Sequence, residues 1–381
     1  MKDCWKFATP GYLRNGAGIS KSVFDYINDL GAARVFVVMD PNLPKTNNQA
    51  KELLSGFEKI NSLVFTEFGT NPTTNQINNS VKLFKKLKPD IMIAIGGGSA
   101  IDLAKATILT SLNGGVIEDY LGGKKGKLPF INFIAIPSTC GTGSEASPYA
   151  VIADPKLKKK RGIEDYNFLP RLVLLDPTLI KSLDKTTLAA TATDALAHVC
   201  ESFVSKKANE ITKSSARGIL LGLIQNIEQA TFTKKNDYLF AMQNAAFSSR
   251  LLYPRTGLTI AHALSHPLGA YTNIHHGSAV SFFIPESFKA NYSYNKTGFN
   301  EAFDLLGFKH PDNFYDWFQG FTEKAGIKKY IQSYLSDKEV LVDKIASDAM
   351  ESSNIPSNPK PVTQKDLVEI VNKSLIYWGL K

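Results

Sequence analysis

"DIMIAIGGGSAIDLAKA", residues 90–106, is the stretch whose reading decides the fold. An apolar run of strand length, Ile91–Ile95, stops in Gly96, Gly97 and Gly98, and a helical pattern takes over from about Ser99. A fully apolar strand followed at once by a helix is the unit from which parallel sheets are built. The first turn of such a helix offers unpaired N–H groups and the positive end of its dipole, and glycines let a phosphate approach the backbone. The stretch departs from the usual G-x-G-x-x-G fingerprint, because Ile101 stands where the third glycine would be. Its plain alternative is a tight strand-to-helix turn with no ligand.

Working outward, three further apolar runs read as buried strands: "RVFVVMD" (34–40), "FINFIAIPST" (130–139) and "RLVLLDP" (171–177). Between the first two strands lies "NQINNSVKLFKKLK" (75–88), whose apolar and basic residues segregate at helical spacing. A second turn rich in glycine and hydroxyls, "PSTCGTGSEAS" (137–147), follows the 130–139 strand. Two such turns at the ends of neighbouring strands point to a nucleotide site more strongly than either alone. Asp40 ends its strand, where a carboxylate can accept hydrogen bonds from a ribose diol and repel a 2′-phosphate. It reads equally well as a turn-forming Asp before Pro41.

From about residue 186 the grammar changes to long helical stretches, such as "TTLAATATDALAHVCESFVS" and "ARGILLGLIQNIEQA". The expected organisation is an α/β dinucleotide-binding domain over residues 1–180, a Rossmann-like parallel sheet, and an all-α domain over 181–381. "SSNIPSNPKPVT" (352–363) reads as a loop before the last helix. No internal repeat or low-complexity tract interrupts this plan.

Composition narrows the function classes. The 381 residues are 43% hydrophobic and 21% charged, the balance of a water-soluble globular chain. No apolar run is long enough to cross a bilayer, and the first residues lack the apolar core of a secretory signal. Cys4, Cys140 and Cys200 are few and far apart, which fits a reducing cytoplasm better than a disulfide framework. The net charge of +9 is spread along the chain, with "KLKKKR" (156–161) the one real run, so no nucleic-acid partner is expected.

Four of the six histidines crowd into "HALSHPLGAYTNIHHG" (262–277). His262 and His266 stand four apart, as do Asp194 and His198 in "TDALAHVCESF", so each pair projects from one helix face. Pro267 is expected to end its helix. One such pair alone is a surface or satisfied core feature. An acid and several histidines on apolar helices would be costly to bury unpaired, and a divalent ion removes that cost. Imidazole with carboxylate suits Fe(II) or Zn(II), not an oxygen-seeking ion such as Ca(II).

With these motifs assembled, the chain resembles the iron-containing (group III) alcohol dehydrogenases over essentially its whole length. The resemblance is carried by "GTNPT" (69–73), "GGGSAID" (96–102), "PSTCGTGSEAS", "LPRLVLLDP" (169–177), "DALAHVCESF" (194–203) and the histidine-rich stretch. It implies an N-terminal dinucleotide-binding domain and a C-terminal helical domain, with metal and substrate in the cleft between. By the same resemblance the metal ligands are Asp194, His198, His262 and His276, and His266 is the candidate proton relay. His275 is then a bystander, although a shift of register would exchange it with His276. The implied nucleotide contacts are Asp40, Asn71, Gly97, Gly98, Ser99, Asp102, Ser138, Thr139, Thr142 and Lys160. Lys160 lies in the basic run, where an exposed charge is the plain alternative. Ala192 departs from the pattern, since many members carry glycine two residues before the ligand Asp.

The activity so implied is metal-dependent oxidation of an alcohol, or reduction of an aldehyde or ketone, with NAD(H) and Fe(II), Zn(II) being the alternative ion. A homodimer or higher homo-oligomer is implied with it. Two other readings share the scaffold: a dehydroquinate-synthase-like lyase, which needs a basic cluster for a phosphate leaving group, and a glycerol-dehydrogenase-like zinc enzyme. Tyr149, Phe203 and Tyr253 lie near the site motifs and serve as pocket or as core equally well, so the particular alcohol or aldehyde is left open.

Overall fold

A computed structural model describes residues 8–127, 131–157 and 159–381; Cys4 lies outside the described residues. The chain divides into two compact units, one spanning Ala8–Leu183 and the other running from Asp184 to Lys381.

The first unit is built on a six-stranded sheet. Its strands are β1 (Tyr12–Asn15), β2 (Val35–Met39), β3 (Ser62–Phe65), β4 (Ile91–Gly96), β5 (Asn132–Pro137) and β8 (Leu172–Leu175), in the order β1-β8-β5-β4-β2-β3. Every pair in it is parallel. The four central strands are those that the apolar runs mark. Their alternate residues supply two separate cores. Phe36, Val38, Met92 and Ala94 face the helices Thr74–Leu87 and Gly98–Asn113. Val35, Val37, Ile91, Ile93 and Ile95 face Val23–Asp29 and Asn48–Phe57. Burial on both faces explains why these strands read as continuous apolar runs without alternation.

Thr73 opens the Thr74–Leu87 helix through a capping box with Gln76, and Lys88 in the left-handed region ends it. Two elements escaped the reading of periodicity. The edge strand β1 is exposed throughout, and β3 buries only Phe65. A third surprise is the antiparallel hairpin of β6 (Tyr149–Asp154) and β7 (Lys159–Glu164), which carries Lys160 opposite Ala153. Ala153 in turn bridges to Thr73 and donates its N–H to the Pro72 carbonyl at 2.9 Å. The hairpin therefore lies along the "GTNPT" loop.

The second unit is helical in all its regular structure among the described residues. The Lys185–Val204 helix is buried continuously from Leu188 to Val204. A helix buried on every side belongs in the middle of a bundle, and Glu210–Thr233, Asn236–Thr256 and His276–Tyr292 pack around it. Gly277 permits a close approach of the His276–Tyr292 helix. A Cβ there would stand 2.3 Å from the Ala190 carbonyl oxygen, so only glycine admits the neighbouring backbone. Pro267 does not end its helix. The helix runs from Ile260 to Thr272 with Pro267 buried inside it. A proline in a helix interior loses one backbone hydrogen bond, and here the packing of the surrounding turns outweighs that loss. The 352–363 segment holds one short turn of helix, Ile355–Ser357, and leads into Gln364–Tyr377, which Thr363 caps.

Candidate functional site

The two glycine turns meet at the ends of adjacent strands, where Gly96 of β4 pairs with Pro137 of β5. Gly96 has φ +153°, and a Cβ on it would lie 2.8 Å from the Ala100 Cβ and 3.1 Å from the Asp40 Cβ. At Gly97 an added Cβ would meet Thr139 at 3.1 Å, and at Gly98 it would meet Thr142 Oγ1 at 2.8 Å. The second turn is thus laid directly on the first, and a side chain at Gly98 would press on Thr142. Ser138 donates its N–H to the Gly96 carbonyl at 2.9 Å. Asn71, in the left-handed region at φ 61°, donates its N–H to Ser99 Oγ at 3.2 Å.

Asp102 is committed to the scaffold as well: one carboxylate oxygen accepts from the Ser144 hydroxyl and the other from the Val151 N–H at 2.9 Å. Asp40 is half-buried and accepts from the Asn42 N–H at 2.8 Å, so it makes the turn that its plain reading anticipates while standing beside Gly96. Lys160 is half-buried on β7, and burial lowers its ammonium to about 8. One residue here gave no signal in the sequence. Lys105 is fully buried and donates to the carbonyls of Ser144 (2.6 Å), Ser147 (2.9 Å) and Tyr149 (2.8 Å), tying the second turn to the helix that the first turn opens.

In the helical unit, Asp194, His262 and His276 converge, with one ligand atom from each lying within 4.8 Å of the others. Asp194 Oδ1 is 3.2 Å from His262 Nε2 and 3.8 Å from His276 Nε2. The stretch 262–277 therefore contributes His262 and His276, and His275 is the N-cap of the His276–Tyr292 helix. His198 stacks on His262 at a centroid distance of 4.5 Å, with Nδ1 4.0 Å from Asp194 Oδ1. That Nδ1 is buried and has no hydrogen-bond partner. His266 lies next to His276, at 5.6 Å between ring centroids.

Electrostatics follow from this packing. Burial alone would raise the Asp194 carboxyl, but the charges of His276, His262 and Arg250 outweigh it and hold it below the usual range. Burial lowers His198 well below 6.5, helped by His262 and Arg250. Burial also works against the charged form of His262, yet Glu201 and Asp194 prevail and raise it to about 9. Burial likewise raises Cys200, so it offers no reactive thiolate.

Glu201 and Arg250 contact the cluster and were missed by sequence reasoning. Glu201 is fully buried; one oxygen faces His262 Nδ1, and the other accepts from Thr259 N–H (3.2 Å), the Thr259 hydroxyl and Ala261 N–H (3.1 Å). Its position seven residues after Asp194 and three after His198 puts all three on one helix face, a signal that was available. Arg250 stands with Nη1 3.4 Å from His198 Nε2, and nothing in the sequence near it marks it.

The donor set fits a divalent ion. Glu201 occupies Nδ1 of His262, which leaves Nε2 free to face Asp194 and His276, the usual arrangement for a metal-binding imidazole backed by a carboxylate. The unpartnered buried nitrogen of His198 is a further donor. One carboxylate with imidazoles suits Fe(II) or Zn(II).

A parallel α/β unit with paired glycine turns, followed by a helical unit with a buried carboxylate–imidazole cluster, defines an α/β-plus-helical protein with a candidate metal centre. The sequence model described as "Iron-containing alcohol dehydrogenase" matches residues 10–177, and that described as "Fe-containing alcohol dehydrogenase family, C-terminal" matches residues 188–375. The chain is 27% identical to the NAD-dependent methanol dehydrogenase of Bacillus methanolicus, over 94% of its own length and 97% of that protein's. It shares its fold with a 1,3-propanediol oxidoreductase structure at TM-score 0.90 and 22% identity, covering 98% and 100% of the two chains. A sulfoacetaldehyde reductase from Bifidobacterium kashiwanohense, in complex with NAD+, is similar at TM-score 0.85 and 26% identity, covering 97% and 98%.

The chain belongs to the iron-containing alcohol dehydrogenase family. Its reaction class is the interconversion of an alcohol with an aldehyde or ketone, and the lyase alternative is not favoured.

Proposed function

We propose that this protein uses NAD(H) and Fe(II), with Zn(II) as the alternative ion, and that Asp194, His198, His262 and His276 hold the metal. The observation that carries the reading is the convergence of buried Asp194 and His262 with half-buried His276, with Glu201 behind His262. A bound divalent ion supplies Lewis acidity at the substrate oxygen, and NAD+ supplies the hydride acceptor. In the oxidation direction bound NAD+ would accept a hydride from the alcohol carbon, and the oxygen would lose a proton. The aldehyde, NADH and that proton are the products.

The chain's own residues do the rest. Glu201 accepts from Nδ1–H and so fixes the tautomer that presents Nε2. Burial of Asp194, His198 and His262 excludes water around the charged groups. His266, beside His276, carries the proton towards solvent. Gly97, Gly98 and Ser99 open a helix whose N-terminus suits the pyrophosphate, with Asn71, Ser138, Thr139 and Thr142 around it. Asp102 keeps the turn in shape, and Lys160 on the hairpin would contact the nucleotide, while Asp40 would read a ribose 2′-hydroxyl. The relative named for NAD-dependence and the neighbour solved with NAD+ support that cofactor.

A cytoplasmic setting is supported by Cys200, which is buried as a free thiol. No helix of the described residues is long and apolar enough to cross a membrane. A homodimer or larger homo-oligomer is supported by β1, an exposed strand at the end of the sheet with no further strand on its outer edge among the described residues.

The deciding experiment is a panel of aldehydes with NADH and NADPH, run anaerobically on metal-stripped and Fe(II)-reconstituted protein. Reconstitution should raise turnover by at least ~10²-fold, and His262→Ala should abolish it while the protein stays folded and binds NAD. Near-wild-type turnover in metal-stripped His262→Ala protein would sink the reading.

A further inference from the structure

Arg250 is a charge that the proposed chemistry does not use. It projects from the Asn236–Thr256 helix onto His198, with Nη1 3.4 Å from Nε2, and lies over the Tyr253 ring with its guanidinium carbon 4.4 Å from the centroid. Among the described residues no carboxylate stands within ion-pair distance of it. Its Nε is buried and has no hydrogen-bond partner. A buried N–H left unmade is disfavoured, so such groups in folded proteins ordinarily have a partner. The cluster beside it holds one acid, Asp194, and the other nearby acid, Glu201, is already committed to His262, Thr259 and Ala261.

A guanidinium aimed at a metal-site histidine also repels a cation there, so its presence calls for a compensating anion. Its planar fork of donors matches two oxygens of a carboxylate, sulfonate or phosphonate. Tyr253 beneath it holds the plane in place by cation–π stacking. Among the described residues its one hydrogen-bond contact is to His198 Nε2, and no oxygen acceptor engages it.

We propose that the substrate carries an anionic group besides its reacting carbon, and that Arg250 binds it. The substrate class is a short anionic aldehyde or its alcohol, small enough to reach from the guanidinium to the Asp194–His262–His276 cluster one histidine away. This rests on the oxidoreductase reading above. It adds that specificity is set by charge. Removing the anion leaves the guanidinium unpaired, and a site built on a charged partner rejects the neutral analogue strongly.

The test pairs substrates of matched length on the Fe(II)-loaded enzyme with NADH: 4-oxobutanoate against butanal, and sulfonated and phosphonated acetaldehyde against propanal. At least one anionic member should exceed its neutral counterpart by tenfold or more in kcat/KM, chiefly through KM. Arg250→Gln should shrink that anionic-to-neutral ratio by at least tenfold. Arg250→Lys, which keeps a point charge and loses the fork, should fall between.

A second measurement does not depend on turnover. Calorimetric titration of the metal- and NAD-loaded protein with sulfoacetate, which has no carbonyl to reduce, should show binding to the wild type and none to Arg250→Gln, with circular dichroism confirming that the variant is folded. Neutral aldehydes reduced as well as anionic ones, with a ratio indifferent to Arg250→Gln, would overturn the proposal and leave the oxidoreductase reading standing. Iron lost from Arg250→Gln with the ratio unchanged would make Arg250 a positioning residue for His198 and equally overturn it. If no aldehyde is reduced, the reaction reading falls, and the sulfoacetate titration still decides whether Arg250 is an anion receptor.

Discussion

Glu201→Gln keeps the shape of the side chain and removes its charge and one acceptor. In the native site one carboxylate oxygen accepts from Thr259 N–H at 3.2 Å, from the Thr259 hydroxyl and from Ala261 N–H at 3.1 Å, and the other faces His262 Nδ1. A glutamine that keeps its carbonyl on the first three donors turns its NH2 towards Nδ1. To accept that bond, the imidazole must move its proton to Nε2, the nitrogen 3.2 Å from Asp194. A protonated Nε2 cannot coordinate an ion. Flipping the amide restores Nδ1–H but sets NH2 against two backbone N–H groups. Either arrangement forfeits one charge-assisted hydrogen bond, about 1.5–3 kcal/mol. With 1.4 kcal/mol per factor of ten, this agrees with the roughly 10–100-fold loss expected when the partner of a metal-binding histidine is changed. Anaerobic competition against a calibrated chelator measures the affinity directly, and circular dichroism checks the fold. Unchanged affinity in Glu201→Gln would refute the assignment of Nε2 as the donor.

Three further outcomes are expected. Without metal, His262 holds its proton up to about pH 9, so metal binding should release one proton and strengthen about tenfold per unit between roughly pH 7 and 9. Because the folded value lies above the ordinary 6.5, the same linkage stabilises the metal-free protein fully below about pH 6.5. That stabilisation is lost as pH rises through about 9; chelator competition and chemical denaturation across this range check both, and a flat profile contradicts them. His266→Ala should keep its full metal content by elemental analysis, lose roughly 10²-fold or less in rate and change its pH profile, whereas His275→Ala should change neither quantity. Asp40 should favour NAD(H) over NADP(H) by about ten- to hundredfold in kcat/KM, and Asp40→Gly should relax the preference mainly by improving NADP(H); equal efficiencies in the wild type would leave Asp40 a turn residue alone.

The sequence by itself determined the parts of this protein whose physics is local. Strands buried on both faces are apolar at every position, so β2, β4, β5 and β8 stood out, while β1 and β3, exposed or half-exposed at the sheet edges, had no pattern to show. Helical spacing likewise put Asp194 with His198, and His262 with His266, on common faces. That spacing says which residues share a face of one helix and nothing about which helices meet.

Tertiary packing decided the rest. Gly277 admits the Ala190 carbonyl and thereby brings His276 to Asp194, a distance no local pattern encodes. Glu201 reaches His262 across 61 residues of chain, and Arg250 reaches His198 across 52. Pro267 illustrates the converse, since its local rule ends a helix that packing carries on to Thr272. The physical reason is one of range. Dihedral preference and hydrophobic period act within a few residues, whereas the pairing of buried charges and the tautomer of a histidine depend on side chains that meet only when the helices are packed.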